Sequence, residues 1–317
     1  MSFWPRAIRT PAVAGVFIGA LLLLGGCATP QVASLEAAWP AGLPTTAQIG
    51  TVPFYPQDEY QCGPAALAMV LTAAGVPRTP EVLKEQVYLP GREGSLQADM
   101  LAATRRNGLP AYTLAPRIES LLREVAAGHP VVVLQNLAFS FAPVWHYAVV
   151  IGFDRERNRL TLHSGVTERL EMSLFTFERT WERGGYWALL ALPPTRLPAS
   201  AGPDDYAAAV AVLERVHAGV AQTAYSTALQ TWPDNRALLL GAGNTAYALG
   251  QHERAASAYG IATVAHPDFA DAWNNLAQVL LDLGRKQQAT DAIARAVALG
   301  GPRLPQYLAL QAEIQAK

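Results

Sequence analysis

The run VPFYPQDEYQCGPAALAMV, from Val52 to Val70, holds Cys62, one of only two cysteines in a chain of 317 residues. The Gly-Pro after it and the alanine-rich stretch beyond read as a helix over Gly63 to Ala74. That helix is apolar nearly all round, which places it in a core. Pro64 suits the first helical turn, where a missing N–H costs nothing, and Gly75 ends the run. Cys62 therefore stands at the N-terminal edge of a buried helix. There the helix dipole and free N–H groups favour a thiolate and should lower the thiol pKa. A cysteine so placed is either a buried hydrophobe or a reactive group.

The second cysteine settles whether Cys62 has a disulfide partner. The chain opens with MSFWPRAIRT, carrying Arg6 and Arg9, and continues with the apolar PAVAGVFIGALLLL. This stretch falls short of the ~20 apolar residues a membrane span needs, so it reads as a targeting segment over residues 1–26. Leu24-Gly25-Gly26-Cys27 resembles the bacterial lipobox. The resemblance implies cleavage before Cys27 and lipidation of its thiol, with a plain secretory signal or an uncleaved anchor as the alternatives. Several acyl chains on Cys27 would hold the protein on a membrane. Ala28, rather than aspartate, resembles the outer-membrane default, so the expected location is the cell envelope, on the outer membrane facing the periplasm. In that oxidising compartment a lipidated Cys27 leaves Cys62 without an intrachain partner.

Formal net charge is −1 and charged residues make up 15% of the chain, which gives no basic footprint for nucleic acid. Hydrophobic residues make up 51%, as suits a helix-rich globular protein rather than a disordered one. Residues 27–50, rich in Ala, Pro, Thr and Gln, read as a tether. A first domain spans 51–193. After the Cys62 helix, further helices are expected over Thr79–Val87, over Ser95–Asn107 with Ser95 as N-cap, and over Arg117–Ala127. Strands follow over Pro130–Asn136, His146–Asp154, Arg159–Ser164 and Tyr186–Leu192. Helices first and an antiparallel sheet afterwards make an α+β domain.

The Pro-rich stretch 194–203 reads as a linker, and residues 204–317 as an all-α solenoid. Pro233 and Pro267 stand 34 positions apart, as do Gly250 and Gly284, Ala255 and Ala289, Ala262 and Ala296, and Tyr225 and Tyr259. Trp273, Leu276, Gly284, Ala289 and Ala296 stand in the order of the tetratricopeptide repeat, which this region resembles over three units, the first degenerate. Each unit leaves an apolar face that only its neighbour covers, and Leu304–Ile314 would cap the stack. Such surfaces bind peptides or proteins.

A thiolate nucleophile needs a base and an oxyanion donor. Gln57, five positions upstream of Cys62, can supply an amide N–H, and Gln61 is a nearer rival. Of six histidines, His217, His252 and His266 lie in the repeats, and His129 sits at a helix end where it would favour the dipole. His146 opens a strand after Trp145, which puts its ring at the sheet rim. His163 lies inside a strand, so His146 is the favoured base.

VPFYPQDEYQCGPAALAMVL followed by HYAVVIGFD resembles the papain-like peptidases that remove double-glycine leaders from bacteriocins, family thirty-nine among cysteine peptidases. The resemblance covers about Val52 to Leu192 and implies Cys62 as nucleophile, His146 as base and Gln57 as oxyanion donor. Two positions depart from the family pattern. The glutamine stands one residue nearer the cysteine, and Ser164, in LHSG, occupies the place of the family's aspartate. Serine can accept the imidazole N–H bond but cannot offset imidazolium charge. The nearest carboxylate, Asp154, lies at the far end of the histidine's strand, roughly 25 Å away by strand rise. The leader peptidases are often fused to ATP-driven exporters, but this chain has no nucleotide-binding loop and implies neither ATP nor any other cofactor or metal. The sequence thus points to a membrane-anchored, exported cysteine peptidase acting on peptides or proteins, with repeats that bind a protein partner. A catalytically weak scaffold lipoprotein, and acyl transfer or peptidoglycan amide cleavage, are the rival readings. Trp145, Trp181 and Trp187 are either cleft-lining or packing residues, and PGREGSLQADM (Pro90–Met100) is either a loop bordering the cleft or a surface turn.

Overall fold

An antiparallel sheet of seven strands organises the first half of the computed structural model, which describes residues 29–57 and 61–316. The strands are β1 (Thr46–Gln48), β2 (Ala111–Thr113), β3 (Val131–Asn136), β4 (Trp145–Asp154), β5 (Arg159–Ser164), β6 (Thr167–Ser173) and β7 (Ala188–Ala191). Their order is β2-β7-β3-β4-β5-β6, with β1 beside the far end of β4. β3 covers Trp145 to Val150 on that edge of β4, and β1 pairs with Gly152 to Asp154.

Side chains alternate across a strand, so VVVL in β3 feeds two cores. Val132 and Leu134 join Tyr147, Val149 and Ile151 on one face. Against them lies α2 (Cys62–Ala73), with Gly63 to Leu71 all buried, backed by α3 (Pro80–Val87) and α4 (Gln97–Arg106). This bears out a helix apolar all round. Val131 and Val133 face the other way, with Ala148 and Val150, onto α5 (Ile118–Ala126) and α6 (Leu174–Arg183).

The structure differs from expectation in several places. The stretch read as a tether, from residue 29 onward, is folded onto the domain. It contributes helix α1 (Pro30–Ala37) and strand β1. The buried carboxylate of Glu178 on α6 caps α1, accepting the N–H of Gln31 at 3.0 Å and of Val32 at 2.7 Å. Residues 1–28, with the expected signal segment and Cys27, lie outside the described residues. Ser95 is not the N-cap of α4; Leu96 holds that position, and the Ser95 hydroxyl is buried elsewhere. The last strand begins at Ala188, because Tyr186 is left-handed with φ 53°. β2 and β6, the two edges of the main sheet, and α6, which covers it, have no counterpart among the expected elements.

The stretch read as a linker carries no helix or strand before Pro203, and it is tied to the sheet domain. The backbone N–H groups of Ala199 and Ser200 and the Ser200 hydroxyl all donate to the fully buried Glu124 on α5, which also bonds His129 Nδ1 at 2.8 Å. His129 therefore pairs with a carboxylate rather than with a helix dipole. Beyond this joint run α7 (Pro203–Glu214), α8 (Ala218–Thr231), α9 (Arg236–Ala248), α10 (His252–Ala265), α11 (Ala270–Asp282), α12 (Lys286–Leu299) and α13 (Leu304–Ala316). They form three helix pairs and a cap, in the expected register. Gly250 and Gly284 turn out of their helices at φ 70° and 72°, as helix stops do. A side chain on Gly241 would overlap the Tyr225 ring, and one on Gly243 the Tyr259 ring, which is why small residues stand where the helices cross. Tyr206, Val210 and Leu213 of α7 share one continuous core with Tyr112, Leu114 and Ile118. The repeats thus grow directly out of the sheet domain.

Candidate active site

The sheet has a gap where the candidate residues meet. β5 pairs with β4 only as far as Val149–His163, so the backbone of Tyr147 is left without a strand partner on that side. Two side chains fill the place. The N–H of Tyr147 points at the Cys62 sulfur. Its carbonyl accepts from Gln57 Nε2 at 3.5 Å. Cys62 is the first residue of α2, and His146 immediately precedes Tyr147, so nucleophile and base candidates from distant segments meet at one peptide unit.

Gln57 is buried and also grips the turn after β5. Its Oε1 accepts from Gly165 N–H at 3.1 Å, and its own N–H donates to the Gly165 carbonyl at 3.1 Å. This fixes the neighbouring Ser164, whose hydroxyl lies 2.9 Å from His146 Nε2. Ser164 therefore stands in hydrogen-bonding contact with the imidazole, at the place the sequence assigns it. That contact leaves Nδ1 of His146 as the ring nitrogen not engaged with Ser164. Asp154 is at the opposite end of β4, where it accepts from Arg157 N–H. No hydrogen bond joins the side chain of Gln61, the N-cap of α2, to these groups among the described residues. His163 is buried and engaged at both nitrogens. Its Nε2 bonds the Val52 carbonyl at 3.3 Å and its Nδ1 accepts from Arg169 N–H at 3.3 Å. It pins the irregular segment at Val52 to the sheet, as fits a packing residue.

Electrostatics corrects one expectation. The start of α2 does direct N–H groups of Gly63 and Cys62 itself at the sulfur, as a helix start should. Burial outweighs them, so the thiol pKa is raised above its ordinary 9.0, not lowered. Burial also lowers His146 below its ordinary 6.5. Both shifts favour the neutral forms, a thiol at Cys62 and an uncharged imidazole at His146.

The glycine after the cysteine has a steric reason. A Cβ on Gly63 would overlap the Ser95 side chain, so the Pro90–Met100 loop closes down on the start of α2. The carbonyl of Ser95 accepts from the Tyr147 hydroxyl at 3.2 Å. Tyr147 is thus a hub that the sequence analysis does not single out, although it is the tyrosine of His-Tyr-Ala-Val-Val. Its ring meets Trp187 edge-on at 5.7 Å. Trp187 and the fully buried Trp181 are packing residues, and Trp145 is exposed beside the site.

Residues 49–188 match the family model described as the Peptidase_C39 like family. Residues 206–260 and 240–303 match the Tetratricopeptide repeat model. No curated protein matches the sequence. Among solved structures, a putative C39-like peptidase from Bacillus anthracis is 20% identical, over 46% of this chain and 97% of that one, with a TM-score of 0.39. The peptidase domain of Streptococcus ComA, a bifunctional ABC transporter, is 22% identical, over 43% and 96%, with a TM-score of 0.36. The Sgt2 tetratricopeptide domain from Aspergillus fumigatus is 25% identical, over 36% and 79%, with a TM-score of 0.33.

Proposed function

The chain carries a C39-like peptidase domain followed by tetratricopeptide repeats, and on that premise we propose that it is an exported cysteine peptidase, lipid-anchored through Cys27 in the cell envelope. The carrying observation is the convergence around Tyr147, whose N–H meets the Cys62 sulfur, whose carbonyl accepts from Gln57, and which directly follows the Ser164-bonded His146. With Nε2–H donating to Ser164, His146 Nδ1 takes the thiol proton as sulfur attacks the scissile carbonyl. The oxyanion is met by Gln57 Nε2 and by N–H groups at the start of α2. The imidazolium then protonates the departing amine, leaving an acyl group on Cys62. Water, deprotonated by the same nitrogen, releases the acid and restores the thiol. Proton transfer waits for substrate, because burial keeps both partners neutral at rest. The repeats bind a substrate or partner protein.

A mass-spectrometric screen of a proteome-derived peptide library tests this reading. New peptide termini should appear with the wild-type chain and vanish with Cys62→Ala. The presence of Ser164 instead of a carboxylate, together with the raised thiol pKa, favours one second reading: a peptidase-like scaffold that acts through its repeats. No cleavage by the folded wild type, with partner capture intact in Cys62→Ala, would select it.

A further inference from the structure

The connection between β3 and β4 holds its apolar side chains out to solvent. Phe141 is 87% exposed, Phe139 67%, and Val144 and Trp145 54% each. From Leu137 to Trp145 the sequence LAFSFAPVW has no charged residue. The loop is internally braced: Asn136 Oδ1 accepts from Ala138 N–H at 3.1 Å and Val144 N–H at 3.0 Å, and Leu137 N–H donates to the Val144 carbonyl at 2.9 Å. Phe139 and Phe141 stack with centroids 5.3 Å apart and planes 7° from parallel. The rings therefore project from a braced tip rather than folding back onto the domain. An exposed apolar patch of this kind marks an interaction surface.

The start of the described chain indicates what covers it. The base of the loop is tied to α6, where Arg183 Nε and Nη2 donate to the Asn136 carbonyl at 3.2 and 3.0 Å. Glu178, five residues earlier on the same helix, caps α1 at Gln31 and Val32. At helical rise these two residues are about 7.5 Å apart along the axis and about 140° apart around it. Thr29 is already packed down on the domain. In the sequence only Ala28 separates it from Cys27. A lipid on Cys27 would therefore join the chain two residues before the segment that α6 holds, and the same α6 holds the base of the loop.

We propose that the Leu137–Trp145 loop inserts its aromatic side chains into the lipid interface that holds the Cys27 acyl chains. Aromatic rings favour that interface, and an acyl anchor is reinforced by a second apolar contact. His146 follows Trp145 directly on β4, so the candidate site lies next to the inserted loop, where membrane-proximal peptide segments would be its substrates. The proposal rests on the lipid-anchoring reading above.

The test uses the full-length lipoprotein in phosphatidylethanolamine–phosphatidylglycerol vesicles, with and without nitroxide-labelled acyl chains. An environment-sensitive fluorophore is attached at Phe141→Cys in a Cys62→Ala background. The control attaches it at Val264→Cys, an exposed position on α10. Intact mass reports the lipid on Cys27. The proposal expects nitroxide quenching of the Phe141→Cys label by about twofold or more, as for an apolar group buried at the acyl boundary, with the control unaffected. Equal quenching at both positions in a lipidated chain would overturn the proposal alone. So would a label that leaves water only when an apolar peptide is added. A chain without lipid on Cys27 would overturn the anchoring reading and this proposal with it.

Discussion

Ser164→Asp places a carboxylate where a hydroxyl now meets His146 Nε2 at 2.9 Å. A neutral imidazole–hydroxyl bond contributes about 1 kcal/mol, and a bond to an ionised partner about 1.5–3 kcal/mol. The difference, roughly 1.4 kcal/mol, acts only on the imidazolium. It should raise the His146 pKa by about one unit. Imidazolium builds up in the transition state of thiol attack, so the same energy should speed Cys62 acylation by about tenfold. Burial now holds His146 below 6.5, so the base is neutral at pH 8 in both proteins and the comparison there is of rate alone. NMR titration of the His146 ring protons gives the pKa, and stopped-flow acylation by p-nitrophenyl acetate gives the rate. The acid limb of the rate profile should move to higher pH in the variant. Ser164→Ala should act in the opposite sense on rate, because the ring loses the bond that fixes its tautomer. A His146 pKa unmoved by the carboxylate would refute the orienting role of Ser164. A shifted pKa with unchanged acylation would refute His146 as base.

Gly63→Ala drives a methyl into the Ser95 side chain and should cost about 1–3 kcal/mol in urea unfolding, with much of it recovered in the Gly63→Ala, Ser95→Gly double variant. Glu124→Ala strips the acceptor from the Ala199 and Ser200 N–H groups and from His129, and should destabilise by about 3 kcal/mol. Because the core is shared, the sheet domain and first repeat should still unfold together by circular dichroism. His146 and His163 both have folded pKa values below 6.5, so the unfolded chain takes up their protons first. Stability should hold above pH 6.5 and fall as pH drops below it, seen as a declining Tm in calorimetry.

The helix of Cys62, the strand of His146 and the 34-residue register were legible because each is written locally, in period and punctuation. What escaped was long-range. Thr29-Pro30 opens Pro30–Ala37 as Thr79-Pro80 opens α3, but its cap, the carboxylate of Glu178, is remote in sequence, and Thr46–Gln48 becomes a strand only because the end of β4 offers it an edge. The sign of the Cys62 shift escaped for a similar reason. The helix-start argument was correct about the N–H groups but could not weigh the burial that outcompetes them. α6 is a different case, since Leu174, Phe177 and Trp181 stand at helical spacing behind Ser173, whose hydroxyl accepts from Thr176 N–H. That signal was present and unread. At the site, Ser164 was legible as a departure from a pattern. Its contact with His146 depended on Gln57 fixing the turn at Gly165.

Acylation of the full-length protein by p-nitrophenyl acetate, followed by acid quench and intact mass, tests the nucleophile and base together without knowledge of the natural substrate. The account predicts a stoichiometric burst of p-nitrophenolate and one acetyl group on Cys62. Cys62→Ala should abolish both, and His146→Ala should slow the burst by about 10²-fold or more. A wild-type chain that gives no burst, or a burst that survives Cys62→Ala, would contradict it.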